Sequence, residues 1–166
     1  MTTSDETIIK PDWHFLFSNP AHLLAFGFGS GLIREAPGTF GTLVAFPIYW
    51  LLEPQLSDYL FIVMLIVAFA IGVWVCGETG KALGEADYGG IVWDEIVSFM
   101  LVLFFTPPGW QWSFLAFVLF RFFDIVKPPP IRYFESNWHD GFGVMFDDLL
   151  AAGYALMCLA LVKSIL

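Results

Sequence analysis

A chain of 166 residues that is 58% hydrophobic and 19% aromatic but only 14% charged, with a mean hydropathy of +0.73, does not have the composition of a soluble domain and reads as a membrane protein. Its 7 Lys and Arg against 16 Asp and Glu give a net charge of -9, which excludes nucleic acid as a partner, because a phosphate backbone calls for clustered cations. Cys76 and Cys158 stand in apolar runs without CxxC spacing, so neither a disulfide framework nor a structural zinc is expected.

The N-terminal stretch "MTTSDETIIKPDWHFLFSNP" lacks the basic, apolar and small-residue regions of a secretory signal. Residues 1–19 are expected to be a short, loosely ordered cytoplasmic tail and residues 20–166 one membrane domain, since no linker or internal repeat divides them. "AHLLAFGFGSGL" is short and Gly-rich and is expected to be an interfacial or re-entrant piece. Apolar runs follow at about 39–52, 59–76, 91–105, 112–126 and 144–162. Five spans are therefore predicted, several of them shorter than the roughly 20 residues that cross a hydrocarbon core, and so tilted, broken or partly inserted. The fold class is all-α: a multi-span helical integral membrane protein.

With the N-terminus inside, Arg34, Lys81, Lys127 and Arg132 all fall on one side, whereas the opposite connections "EPQLSD" and "TPPGWQ" contain no Lys or Arg, as the positive-inside rule requires. Lys163 alone falls on the far side, at a helix end where it can snorkel. The same assignment gathers Glu78, Glu85, Asp87, Asp94, Glu95, Asp124, Asp140, Asp147 and Asp148 at the inner surface, which points to a single one-sided interfacial site.

Within "YGGIVWDEIVSFMLVLFF" the adjacent acids Asp94 and Glu95 interrupt an apolar run. A carboxylate at the centre of a membrane helix costs about 2.5 to 3.5 kcal/mol, so a compensating partner is expected. Neighbouring helical positions diverge by about 100°, so one acid can face a site while the other packs aside or caps the helix; a water-exposed helix start is the plainer alternative. Asp147 and Asp148 repeat the arrangement at the start of the last span, followed by Ala151, Ala152, Gly153 and Ala155, small residues that let another helix approach closely. Asp124 ends the fourth span between Arg121 and Lys127, where a simple Arg121–Asp124 ion pair is the alternative to a site role. The run Pro128 to Pro130 stops that helix and holds Lys127 and Arg132 at the interface.

Five carboxylates on three helix ends, beside cationic residues, fit a hard cation held by oxygen ligands, with Mg²⁺ the expected ion. Spacing leaves open one metal or two, and which acid would act as base. "GSGLIREAPGTFGTL" offers backbone N–H groups and the Thr39 and Thr42 hydroxyls at a helix start, able to hold a phosphate or simply to form a re-entrant turn. The cysteine, aspartate and histidine signatures of covalent phosphatases are missing, and His14, His22 and His139 are isolated. Metal-activated water is then the simplest chemistry.

The segments "GSGLIREAPGTFGTLVAFP", "IVWDEIVSF", "FRFFDIVKPPPIRYFE" and "GFGVMFDDLLAAGYA" resemble, in order and over nearly the whole chain, the bacterial phosphatidylglycerophosphatase A family. The resemblance implies an all-helical, Mg²⁺-dependent phosphatase of the inner (cytoplasmic) membrane, its site facing the cytoplasm, that converts the membrane phospholipid phosphatidylglycerophosphate to phosphatidylglycerol in phospholipid biosynthesis. It carries the family's APGT loop onto Ala36 to Thr39, its DE pair onto Asp94 and Glu95, its FD and KP residues onto Phe123, Asp124, Lys127 and Pro128, and its DD pair onto Asp147 and Asp148. Thr42, Ser98 and Glu135 depart mildly from the usual pattern. The expected catalytic acids are Asp94, Glu95, Asp124 and Asp148. Metal ligands are drawn from those four and Asp147, and Arg34, Thr39, Lys127 and Arg132 would neutralise substrate phosphate. An ion- or proton-coupled carrier is the rival reading, but it needs acids near the midplane and reachable from both sides; a CDP-alcohol transferase lacks its signature here, and a scaffold subunit leaves the acids unexplained.

Overall fold

The computed structural model describes residues 10–165, and every regular element among them is helical. Residues 1–9 of the expected tail lie outside the described residues. The remainder of that tail is not loose. Helix α1 (Trp13–Ser18) starts where the Asp12 side chain accepts the Phe15 N–H at 2.8 Å, and Leu16 is fully buried. Helix α2 (Pro20–Ala25) is capped in the same way by Asn19, and His22 Nδ1 lies 3.0 Å from Thr79 Oγ1, so this histidine fastens α2 to the bundle. An irregular turn over 27–32, with φ of 51°, 59° and 103° at Gly27, Phe28 and Gly29, then redirects the chain.

The five apolar runs become helices α3 (Pro37–Leu52), α4 (Asp58–Leu83), α5 (Trp93–Phe105) and α6 (Trp110–Val126), then, after the short α7 (Ile131–Asn137), α8 (Gly141–Ile165). Local signals set their ends. The Ser57 hydroxyl caps α4 at one end and left-handed Gly84 closes it at the other; α6 stops at Lys127, which is also left-handed and precedes the proline run. Helices α4 and α8, of 26 and 25 residues, are long and apolar enough to cross a membrane. Helices α3, α5 and α6, of 16, 13 and 17 residues, fall short of the roughly 20 that a straight crossing takes. The protein is an all-α membrane protein.

Helix α8 packs against α4, α5, α6 and α7, and α5 packs against α3, α4, α6 and α8, so these two form the centre. On α5, Ile96, Phe99 and Val102 are fully buried, and Phe99 meets Phe46, Phe120 and Phe117 at ring-centroid distances of 5.2, 5.4 and 6.0 Å. Ile66, Phe114 and Leu161 face outward, as apolar side chains do toward lipid. Trp50, Tyr59 and Trp110 are exposed at the ends of α3, α4 and α6 remote from the acids, the placement of amphipathic rings at a membrane interface.

Of the small residues expected to admit a neighbouring helix, Ala151, Ala152 and Ala155 are fully buried, whereas Gly153 faces outward with open space around it. On α8 the close approach to another long helix is instead at Gly141. A Cβ there would overlap the Val73 carbonyl oxygen and come within 2.7 Å of Gly77 N, so α8 starts in direct contact with the α4 backbone. Gly141→Ala is expected to destabilise the fold by about 1 to 3 kcal/mol through overpacking, while Gly153→Ala is expected to gain up to about 1 kcal/mol from helix propensity. Denaturation of both variants in detergent checks the contrast.

Candidate functional site

Three helix ends bring acids to one place. The first turn of α5 supplies Asp94 and Glu95, the last turn of α6 supplies Asp124, and α8 supplies Asp147 and Asp148 about two turns in from Gly141. Carboxylate oxygens of Asp94, Glu95 and Asp148 lie within 4.8 Å of one another, and these residues are only 6%, 9% and 2% exposed. Both members of the 94–95 pair therefore reach the same point, rather than one facing the site and the other packing aside. The longer Glu95 side chain spans the 100° between them.

This cluster is short of partners. Asp94 Oδ1, Glu95 Oε2 and Asp148 Oδ2 are buried without a hydrogen bond, as is the Ser98 hydroxyl one turn along α5 from Asp94. Buried acceptors without donors cost about 1 to 3 kcal/mol each, more when charged. Carboxylate oxygens so close together repel one another. An all-oxygen donor set with free lone pairs fits a hard divalent cation.

Beside the cluster lies Arg121. Its Nη1 is 3.5 Å from Glu95 Oε1 and pairs with Asp124 Oδ2, and it also reaches Thr42 Oγ1 at 3.5 Å. The Thr42 hydroxyl in turn donates to the Gly38 carbonyl at 2.8 Å. The Arg121–Asp124 pair expected from spacing is thus present and is part of a junction of α3, α5 and α6. A Cβ on Gly38 would overlap Glu95 Oε1 and come within 3.0 Å of both terminal Arg121 nitrogens, which is why the chain carries glycine there. Asp124 also sits beside Asp148, so it links the arginine to the carboxylate cluster.

A second acidic group surrounds Lys127. Its Nζ is 2.7 Å from Asp147 Oδ2, 2.9 Å from Glu135 Oε1 and 4.0 Å from Asp87 Oδ2. Burial disfavours the ammonium, but Asp147, Glu135 and Asp87 outweigh it and raise the Lys127 pKa above the ordinary lysine value. Asp147, expected among the metal ligands, faces this lysine, and Lys127, expected on substrate phosphate, is engaged by carboxylates. Thr39 is partly buried in the first turn of α3, its N–H bonded to Ala36 O at 3.0 Å. Arg34 and Arg132 are exposed and form no ion pair among the described residues. Arg34 lines a cleft of about 530 Å³ together with Lys10, Pro37, Tyr88 and Gly90.

The sequence profile of the phosphatidylglycerophosphatase A family matches residues 23–163, which hold every acid of both groups. The chain belongs to this family. A Haemophilus influenzae phosphatidylglycerophosphatase A is 49% identical over 140 residues, covering 84% of this chain and 86% of that protein. An Escherichia coli phosphatidylglycerophosphatase A is 46% identical over 135 residues, covering 81% and 78%. A Bacteroides thetaiotaomicron protein, provisionally named a phosphatidylinositol-3-phosphatase, is 38% identical over 152 residues, covering 87% and 94%. No solved structure matches the chain.

Ser98 and Glu135 have no expected site role, Thr42 is expected in a phosphate-holding turn and instead meets Arg121, and Arg121 is expected only as the partner of Asp124. Thr42 and Ser98 each follow a site residue, Gly38 and Asp94, by four positions, the spacing that keeps a helical face, and that periodicity is the signal that marks them. Arg121 is the electrostatic centre of the junction. Arg121→Met is expected to leave two buried carboxylates uncompensated and to cost about 3 to 5 kcal/mol, to be checked by unfolding in detergent against the wild type.

Proposed function

We propose that this protein is a Mg²⁺-dependent phosphatase that hydrolyses phosphatidylglycerophosphate to phosphatidylglycerol in phospholipid biosynthesis, acting at the cytoplasmic face of the bacterial inner membrane. The observation that carries the reading is the group Asp94, Glu95 and Asp148, buried and unpartnered beside Arg121, in a chain whose relatives from H. influenzae and E. coli bear the name of that activity.

Asp94, Glu95 and Asp148 would hold the ion, with Asp124 at its edge. A divalent cation held there supplies Lewis-acid neutralisation of phosphoryl charge and a more acidic water for attack. The protein's own groups do the rest. Arg121, with Nε free of any partner, places positive charge beside the reacting phosphate and holds Glu95 and Asp124 in register. A carboxylate oxygen not taken up by the ion receives the proton of the attacking water. Arg34 and Arg132, both exposed, together with the Thr39 turn, draw the anionic headgroup to the cluster.

Topology belongs to the same proposal. Helices α4 and α8 would cross the membrane and the shorter α3, α5 and α6 would be short or partly inserted spans, with Arg34, Lys81, Lys127 and Arg132 inside in accord with the positive-inside rule. The acids lie at one end of the helices. That supports a surface reaction on a lipid headgroup over a carrier with midplane acids.

Phosphate release from phosphatidylglycerophosphate in mixed micelles is expected to stop with EDTA and to return with Mg²⁺; release that EDTA leaves untouched would refute the metal role. Asp148→Asn is expected to lower turnover by more than about 100-fold. The same substitution relieves the crowding of three carboxylates, so without Mg²⁺ it is expected to unfold at a higher temperature than the wild type. Its melting temperature is also expected to respond less to added Mg²⁺.

A further inference from the structure

The peptide linking Asp147 to Asp148 separates two carboxylate trios of nearly the same design. Asp94, Glu95 and Asp148 converge within 4.8 Å, and so do Asp87, Glu135 and Asp147. They differ in burial and in partners: the first is buried throughout and has three orphaned oxygens, while in the second Asp87 is exposed, Glu135 is partly so, and the three enclose the Lys127 ammonium at 2.7, 2.9 and 4.0 Å. Two of those distances are those of strong charge-assisted hydrogen bonds.

Lys127 does not arrive there as an ordinary helical residue. It ends α6 with φ 45° and ψ 64°, a left-handed conformation that costs a non-glycine residue about 1 to 2 kcal/mol. From this position its side chain joins the end of α6 to the 84–92 loop through Asp87, to α7 through Glu135 and to α8 through Asp147. The proline run that follows prevents the helix from continuing and carrying the ammonium away.

We infer that Lys127 is the resident cation of the second trio, occupying the place a second divalent ion would otherwise take, so that the protein binds one divalent cation and not two. Lys127 is then a positioning residue and not a phosphate ligand. By holding Asp147, it keeps that carboxylate out of the first trio and fixes the turn of α8 that presents Asp148. The inference rests on the proposed reading of Asp94, Glu95 and Asp148 as the cation site.

The test is a count of Mn²⁺ bound by the purified, detergent-solubilised protein, read from the loss of the free-ion electron paramagnetic resonance signal. The wild type is expected to bind one ion. Asp147→Asn is expected still to bind one, with its affinity changed by less than about tenfold, and Lys127→Met, which bares the second trio, is expected to bind two. Two ions on the wild type, loss of the ion from Asp147→Asn, or a single ion on a folded Lys127→Met would each overturn the inference. Should Lys127→Met fail to fold, the wild-type count and Asp147→Asn decide the matter. No Mn²⁺ on the wild type would overturn the cation reading of the first trio and this inference with it, whereas two ions would leave that reading standing and overturn this inference alone.

Discussion

Mutual repulsion among Asp94, Glu95 and Asp148 is the constraint around which the molecule is organised. Three carboxylates left to themselves would separate into water, but these are carried on α5 and α8, the two helices that share the centre of the bundle. Separating the acids would require withdrawing Phe99 from Phe46, Phe117 and Phe120 and lifting Ala151, Ala152 and Ala155 from their neighbours. Between helices in lipid the gain is van der Waals packing rather than hydrophobic burial, with aromatic pairs of this kind contributing about 0.5 to 1.5 kcal/mol each, and these contacts act together against the repulsion. Stability is thereby used to hold a charge arrangement that water would not tolerate, and a pre-formed electrostatic site follows from it.

The same logic explains the two arrangements of cations. Arg121 joins Glu95 and Asp124 through a single nitrogen, Nη1, and leaves Asp94 Oδ1, Glu95 Oε2 and Asp148 Oδ2 without a partner. Lys127, a compact point charge, is surrounded by its acids. One cation frames a site and the other fills one, although the two stand six positions apart on the same stretch of chain.

Helix-scale features were legible in the sequence because they are local. The apolar runs, the Asp94–Glu95 and Asp147–Asp148 pairs, and the stop at Pro128 coincide with helices and their ends. What was not legible depended on which helices face one another. Nothing near Gly141 in the sequence shows that it touches Val73 and Gly77, and Gly153 looked like a contact residue until α8 was seen to turn it outward. The identity of the acids at 94, 95 and 148 could be read, but not their sharing of one point, because that depends on the relative depth of α5 and α8. That Lys127 would be enclosed by acids was not legible either, because they come from positions 87, 135 and 147, on three other elements. Helix α1 was hidden for another reason: a six-residue helix has too little periodicity to register, and its burial is decided by tertiary contact alone.

The inequality of α4 and α5 has a mechanical meaning. At about 1.5 Å per residue, the 26 residues of α4 reach roughly 39 Å while the 13 of α5 reach roughly 20 Å. The connecting 84–92 loop bridges that difference: Asp87 and Gly89 stay exposed, whereas Gly90 is buried against Phe26 and Gly31. Beside it Tyr88, Gly89 and Gly90 line, with Arg34, the cleft of about 530 Å³, a hollow open to solvent at the rim of the bundle. Hydrolysis of a lipid needs water and an acyl-anchored molecule at the same depth. A hollow lowers the water to the lipid, and the lipid need not be raised out of its leaflet.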